Sequence, residues 1–216
     1  MNIAIIGHGN VGRALARSLS RAGSRVVVAG RDTERTLAVA GELGVAGARV
    51  RDAAAGADVV ILAIPFTSVE SVAREIADLV DGRIVVDVTN AGKPDYSGPL
   101  FDGSSAAQQI ATWLPGARVV KAFNTLFASN MSEPVVDGVR LDGYVAADDE
   151  TARRTVLELV GSIGLEAVDA GPLSAARYLE AMAWLNISLN MRGGSWRSGW
   201  KLVGAPSATP AEPVAA

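Results

Sequence analysis

The N-terminal stretch constrains this chain more than any other. An apolar run, Ile3-Ala4-Ile5-Ile6, breaks at "GHGNVGRALA" (Gly7 to Ala16), and a proline-free amphipathic segment follows to Ala22. Gly23 then leads into the β-branched run Arg25–Ala29. Gly7, Gly9 and Gly12 hold a G-x-G-x-x-G spacing that is weak evidence alone. Behind a strand, opening a helix and inside a unit of about 30 residues, it marks a dinucleotide loop. Gly7 allows the tight turn, Gly9 lets the backbone approach a pyrophosphate, and Gly12 permits close helix–strand packing. The free amides of the first helical turn face the anion with the helix dipole behind them. His8, Asn10 and Val11 complete the loop. His8 is the only histidine of the chain; it fills a variable position, where its backbone is expected to matter more than its ring.

The end of the second strand selects the dinucleotide. NAD-binding sheets place an acid there for the ribose 2′-hydroxyl, but this strand ends "VVVAGRDTER". Gly30 stands where the acid would be, with Arg31 next and Arg35 one helical turn on. A free backbone and two guanidinium groups suit a 2′-phosphate, which favours bidentate arginine contacts. The pattern therefore predicts NADP. Asp32 is either an N-cap for the next helix or, with a small shift of the strand end, a ribose acid.

Strand and helix patterns alternate along the rest of the chain. Further strands are predicted at Ala48–Val50, Asp58–Ile64, Arg83–Val88, Arg118–Phe123, Gly143–Ala147 and Leu165–Asp169. Helices are predicted at Thr33–Leu43, Ser68–Val80, Ser104–Leu114, Glu150–Ile163 and Ser174–Met191. Continuous apolar strands between helices imply a mostly parallel sheet covered on both faces. The fold class is thus α/β: a Rossmann-type doubly wound sheet with a small α+β C-terminal extension. The net charge of −3 argues against a nucleic-acid partner. No apolar run is long enough to span a bilayer, and the absence of cysteine excludes thiolate chemistry and zinc–thiolate sites. With no basic leader before the first strand, a cytoplasmic protein is expected.

Several segments go beyond a generic dinucleotide fold. "IAIIGHGNVGRALA", "AGRD", "LAIPF", "VVKAFNT" and "DAGPLSAARYLEAMAWLNI" together resemble the NADP-dependent oxidoreductases that use the deazaflavin coenzyme F-420. They are similar also to the NADPH-binding domains of the six-transmembrane metalloreductases. The resemblance runs from Met1 to about Val203. It implies a phosphate loop at His8, Gly9, Asn10 and Val11 and a 2′-phosphate site at Gly30, Arg31 and Arg35. It also implies that Ile64 and Pro65 flank the nicotinamide ribose and that Asn90 and Ala91 lie near the ring. Ala122, Phe123 and Asn124 would stand beside the nicotinamide, where a second cofactor or substrate stacks. Where deazaflavin enzymes are expected to carry histidine, this chain has Asn124, the form of the metalloreductase domains. The implied activity is hydride transfer between NADP(H) and coenzyme F-420, FMN or FAD as a small-molecule acceptor, in a homodimer. Residues 1–123 would bind NADP, 124–203 would bind the acceptor or dimerise, and 204–216 would be a disordered tail.

Hydride transfer between stacked rings needs positioning rather than a strong general acid. Reduction of a small carbonyl or imine, the rival activity, would want a proton donor. Lys121 and Tyr178 are the candidates, with ion pairing and core packing as their plainer roles. A non-catalytic NADPH-binding protein is the third reading. Asn186 and Asn190, one turn apart on an apolar helix, either cap loops or touch a polar ligand. The segment "RGGSWRSGWKL" (Arg192 to Leu202) either closes over a cofactor or packs its tryptophans on the body. Arg13, Arg17 and Arg21 form a solvated face, with Arg13 near enough to assist the phosphate loop.

Overall fold

Strands built of consecutive apolar residues exclude water only when both faces are covered, and alternate residues then feed two cores. The computed structural model, which describes residues 1–95 and 97–204, follows that rule. The first part of the chain runs β1 (Asn2–Ile6), α1 (Asn10–Arg21), β2 (Arg25–Ala29), α2 (Thr33–Leu43), β3 (Ala46–Ala48) and α3 (Val50–Ala55). It continues through β4 (Val59–Leu62), α4 (Phe66–Ile76), β5 (Ile84–Asp87), α5 (Ala106–Trp113) and β6 (Arg118–Ala122). Then come α6 (Ala128–Ser132), a small hairpin of β7 (Val135–Val136) and β8 (Val139–Arg140), β9 (Asp142–Ala147), α7 (Glu150–Ser162), β10 (Glu166–Gly171) and α8 (Ala176–Asn190).

Eight strands form one sheet in the order β10-β9-β6-β5-β4-β1-β2-β3. All neighbours pair in parallel except β6 and β9, which are antiparallel. The strand order 3-2-1-4-5-6 of a dinucleotide-binding sheet is therefore present, and β9 and β10 extend its far edge. Ile3, Ile5, Val28, Ile61 and Val86 point into one core, under α1 and α7. Ala4, Ile6, Val60, Leu62 and Val85 point into the other, under α3, α4 and α5. Connections reverse between β1 and β4, which opens a crevice at their carboxyl ends, where such sheets bind ligands.

The mostly parallel α/β sheet read from the sequence is the one observed. Its details differ in places. The strand predicted at Ala48–Val50 lies earlier, at Ala46–Ala48, because Val50 heads α3 and buries with Ala53 and Ala54 in the second core. Helix α4 begins at Phe66, behind a proline whose φ of −56° already suits a helix entry. Helix α6 and the β7–β8 hairpin are too short to leave a periodic signature. On α8, Tyr178, Leu185 and Leu189 are 51–59% exposed, so Tyr178 is not a core aromatic. Of the tail predicted at 204–216, all but Gly204 lies outside the described residues. Among the described residues no helix is long and apolar enough to cross a membrane, and no group of three histidine, aspartate or glutamate side chains could hold a metal.

Candidate functional site

The glycine loop sits at the crevice. Gly7 has a φ of +109°, and a Cβ there would lie 2.2 Å from the carbonyl oxygen of Ala63 at the exit of β4. A Cβ on Gly12 would come within 2.1 Å of the Gly7 carbonyl oxygen, so the first turn of α1 docks directly on the loop. Gly9 is different: nothing lies within 4 Å of where its Cβ would be. It is the N-cap of α1 and offers no side-chain cap, which leaves the first amides of the helix free for an anion.

Beyond the loop a groove of about 360 Å³ brings together Gly7, His8, Gly9, Gly30, Arg31, Arg35, Ile64 and Pro65, all singled out in the sequence. The His8 ring forms its floor, packed so close that a Cβ on Gly30 would stand 2.9 Å from His8 Nε2. The weight placed on the His8 backbone did not anticipate this side-chain contact. Asp32 also lines the groove, while its Oδ1 accepts the Arg35 amide at 3.0 Å as the N-cap of α2. Among the described residues neither Arg31 nor Arg35 is paired with a carboxylate. Arg13 is committed: Nε donates to the His8 carbonyl at 3.2 Å and Nη1 pairs with Glu42 at 2.6 Å, so it steadies the loop from behind.

A second group of sequence candidates meets at the exits of β5 and β6. Asn90 Nδ2 donates to the Asn124 carbonyl at 2.8 Å, and Asn124 Nδ2 donates back to Asn90 Oδ1 at 2.9 Å. The turn that brings Asn124 there passes through Phe123, a fully buried residue at a φ of +62°, where the left-handed region strains a side chain. Ala91 and Ala122 are buried beside this clasp. Thr89 Oγ1, Asn124 Oδ1 and Thr125 Oγ1 are buried without a hydrogen-bond partner. Orphaned buried oxygens are costly unless an incoming polar group satisfies them. A nicotinamide carboxamide and ribose would, and that fits the ring end of a dinucleotide.

Directly beneath the clasp lies a buried ion cluster that the sequence showed only in part. Lys121 Nζ reaches Asp87 Oδ2 at 2.9 Å, Glu180 Oε1 at 2.8 Å and the Thr89 carbonyl at 2.5 Å. All three of its protons are used, so Lys121 takes the ion-paired role and not that of a proton donor. Burial raises the Glu180 carboxyl above the usual carboxylate range; Lys121 opposes this, and Asp87 adds to it. The signal available in the sequence was a lone acid in the apolar strand "IVVD" and a lone lysine in "VVKA".

Asn186 and Asn190 cap a loop. With Asn130 they grip the C-terminal segment: Asn130 Nδ2 donates to the carbonyls of Arg197 and Ser198, Asn186 Nδ2 to that of Ser198, and Asn190 Oδ1 accepts the Trp196 amide. Arg197 pairs with Glu133, and Lys201 with Asp142 and Glu166. The segment "RGGSWRSGWKL" is thus a strap held by hydrogen bonds and ion pairs, with Trp196 edge-on to Phe127 at 5.2 Å and still 46% exposed.

The chain is similar to known proteins over most of its length. Residues 2–91 match the family model described as NADP oxidoreductase, coenzyme F420-dependent. Over 225 aligned residues the chain is 34% identical to the F420-dependent NADP reductase of Methanothermobacter thermautotrophicus, covering 95% of this chain and 96% of that one. It is 32% identical to the metalloreductase STEAP3 of Rattus norvegicus over 180 residues, which are 83% of this chain and 36% of that one. A candidate F420-dependent NADP reductase from Arthrobacter sp. FB24 has a crystal structure that superposes with a TM-score of 0.85 at 30% identity, over 94% of this chain and 99% of that one.

Proposed function

This chain belongs to the F420-dependent NADP reductase family, and from that premise we propose that it moves hydride between NADP(H) and coenzyme F-420. It is an NADP-dependent oxidoreductase; the acceptor is our inference. The observation that carries the NADP half is the groove where Arg31 and Arg35 stand, without carboxylate partners among the described residues, beside Gly30 and the His8 ring. When bound, NADPH supplies the hydride from its nicotinamide. The chain supplies binding and alignment. The first amides of α1, exposed past Gly9, receive the pyrophosphate, and Arg31 and Arg35 receive the 2′-phosphate. Ile64 and Pro65 border the path to the ring, and the Asn90–Asn124 clasp with Ala91 and Ala122 holds the ring end. We assign residues 1–123 to NADP and 124–203 to the acceptor and to pairing with a second copy.

Full-length similarity to a methanogen reductase supports coenzyme F-420 as acceptor. Asn124 in "AFNT" supports a second reading, a flavin acceptor, since the metalloreductase match spans the same segment. The engagement of all three Lys121 protons and the exposure of Tyr178 weigh against carbonyl or imine reduction, which needs a placed donor.

The test is NADPH oxidation followed by absorbance with coenzyme F-420, FMN, FAD and simple ketones and imines offered separately. Turnover with coenzyme F-420 is expected. Turnover with FMN or FAD instead moves the assignment to the flavin reading, and turnover only with a ketone or imine overturns both.

A further inference from the structure

Hydrogen bonds converge on the residues that follow β5, and part of them originates in α8. Asp87 Oδ1 accepts the Thr89 amide at 2.8 Å, and Lys121 Nζ donates to the Thr89 carbonyl. Lys121 is itself held by Glu180 of α8. Four residues along the same helix, Trp184 Nε1 donates to the Ala91 carbonyl at 3.2 Å. Its ring lies so close to Gly92 that a Cβ there would stand 2.0 Å from Trp184 Cζ2. A residue with any side chain at 92 would push the indole away from Ala91. Between the two held carbonyls sits Asn90, clasped to Asn124.

We propose that α8 is a positioning clamp for the ring end of the cofactor site. Glu180 acting through Lys121, and Trp184 acting directly, fix the carbonyls of Thr89 and Ala91 and so set the 89–90 and 91–92 peptide planes, which bracket Asn90 and Ala91. The proposal rests on the NADP reading above. Apolar side chains alone would hold α8 on the sheet, and a buried ion cluster is weak evidence for stability. What the cluster and the indole add is direction: each N–H must meet one acceptor. Glu180 and Trp184 are one helical turn apart, on the same face of α8, and both are buried. They are therefore positioning residues: Trp184 touches the loop holding the ring, Glu180 reaches it through Lys121, and neither need touch the ring itself.

Trp184→Phe removes the indole N–H together with the Cζ2 edge that meets Gly92 and keeps an aromatic ring on α8, so the Tm is read beside the kinetics to separate the held carbonyl from the packing. The experiment measures kcat and KM for NADPH, the primary isotope effect with NADPH deuterated at the transferred position, the fluorescence anisotropy of bound NADPH, and Tm. Expected are a kcat lower by about tenfold with KM within about twofold, since a small misplacement of reacting groups costs rate before affinity. The isotope effect should rise, and the anisotropy of the bound nicotinamide should fall. A lower Tm with kcat per folded molecule and isotope effect unchanged means a purely structural role and overturns the clamp. Wild-type protein that neither binds nor oxidises NADPH overturns the NADP reading and the clamp together. Active wild type with an indistinguishable Trp184→Phe overturns the clamp alone.

Discussion

At the scale of single residues, cofactor choice turns on Arg31. Its guanidinium borders the groove without a carboxylate partner among the described residues, while the neighbouring Asp32 is occupied as the N-cap of α2 through the Arg35 amide. A 2′-phosphate would gain a charge-assisted contact that a 2′-hydroxyl lacks. Arg31→Ala should weaken NADPH by about tenfold or more and leave NADH within about twofold, as befits loss of a charge-assisted bond to one ligand only. Titration of both dinucleotides by fluorescence checks this; equal losses would transfer the discrimination to Asp32. The residues of this groove were legible in the sequence because glycine and arginine act there through local rules: a φ of +109° at Gly7 and a strand end without an acid. Ring packing of His8 on Gly30 was not legible, since it joins the ends of β1 and β2 across space.

Among elements, α8 carries most of what the sequence concealed. Its apolar composition asks for cover on more than one side, from a second copy, a lid over the cofactor or its own domain, yet its informative residues are the acid and the indole on the face toward β5. Glu180 meets Lys121 on β6, and no spacing rule links positions so far apart in the chain. The pairing makes a pH prediction. Burial raises the folded-state pKa of Glu180 above its ordinary value of 4.5. The folded protein thus holds that proton more tightly than the unfolded chain. The stability this contributes is fully present below about pH 4.5 and is lost as pH rises through the raised folded value. Glu180→Gln cannot titrate and keeps an oxygen for Lys121. Its Tm relative to wild type should therefore climb as pH rises from about 4.5, then level off. Thermal melts of both proteins between about pH 4 and 8 read this directly. A Tm difference that moves the other way would mean that attraction to Lys121 outweighs burial.

For the molecule as a whole, alternation of apolar strands and helices was enough to read the doubly wound sheet. The antiparallel β6–β9 join and the strap pinned by Asn130, Asn186 and Asn190 were not, because each depends on contacts between distant segments. One surface remains without cover. Tyr178, Met182, Leu185 and Leu189 recur along α8 at intervals of four, three and four residues, which aligns them in a single stripe. Tyr178, Leu185 and Leu189 are each more than half exposed. The 4-3-4 spacing is that of helices that pack along one another, and a second copy would present the same stripe about a two-fold axis. If α8 pairs in this way, a charge at its centre should separate the copies without unfolding them, because the substituted side chains are solvent-facing in each chain alone. Leu185→Glu combined with Leu189→Glu should sediment as a monomer at concentrations where the wild type sediments as a dimer, with the far-ultraviolet circular dichroism unchanged. A wild type that sediments as a monomer at tens of micromolar would remove the dimer. A double variant that still pairs would move the interface off α8. The pairing also bears on catalysis, since Glu180 and Trp184 lie on the opposite face of the same helix. Monomeric double variant with wild-type kcat would show that the clamp is complete within one chain.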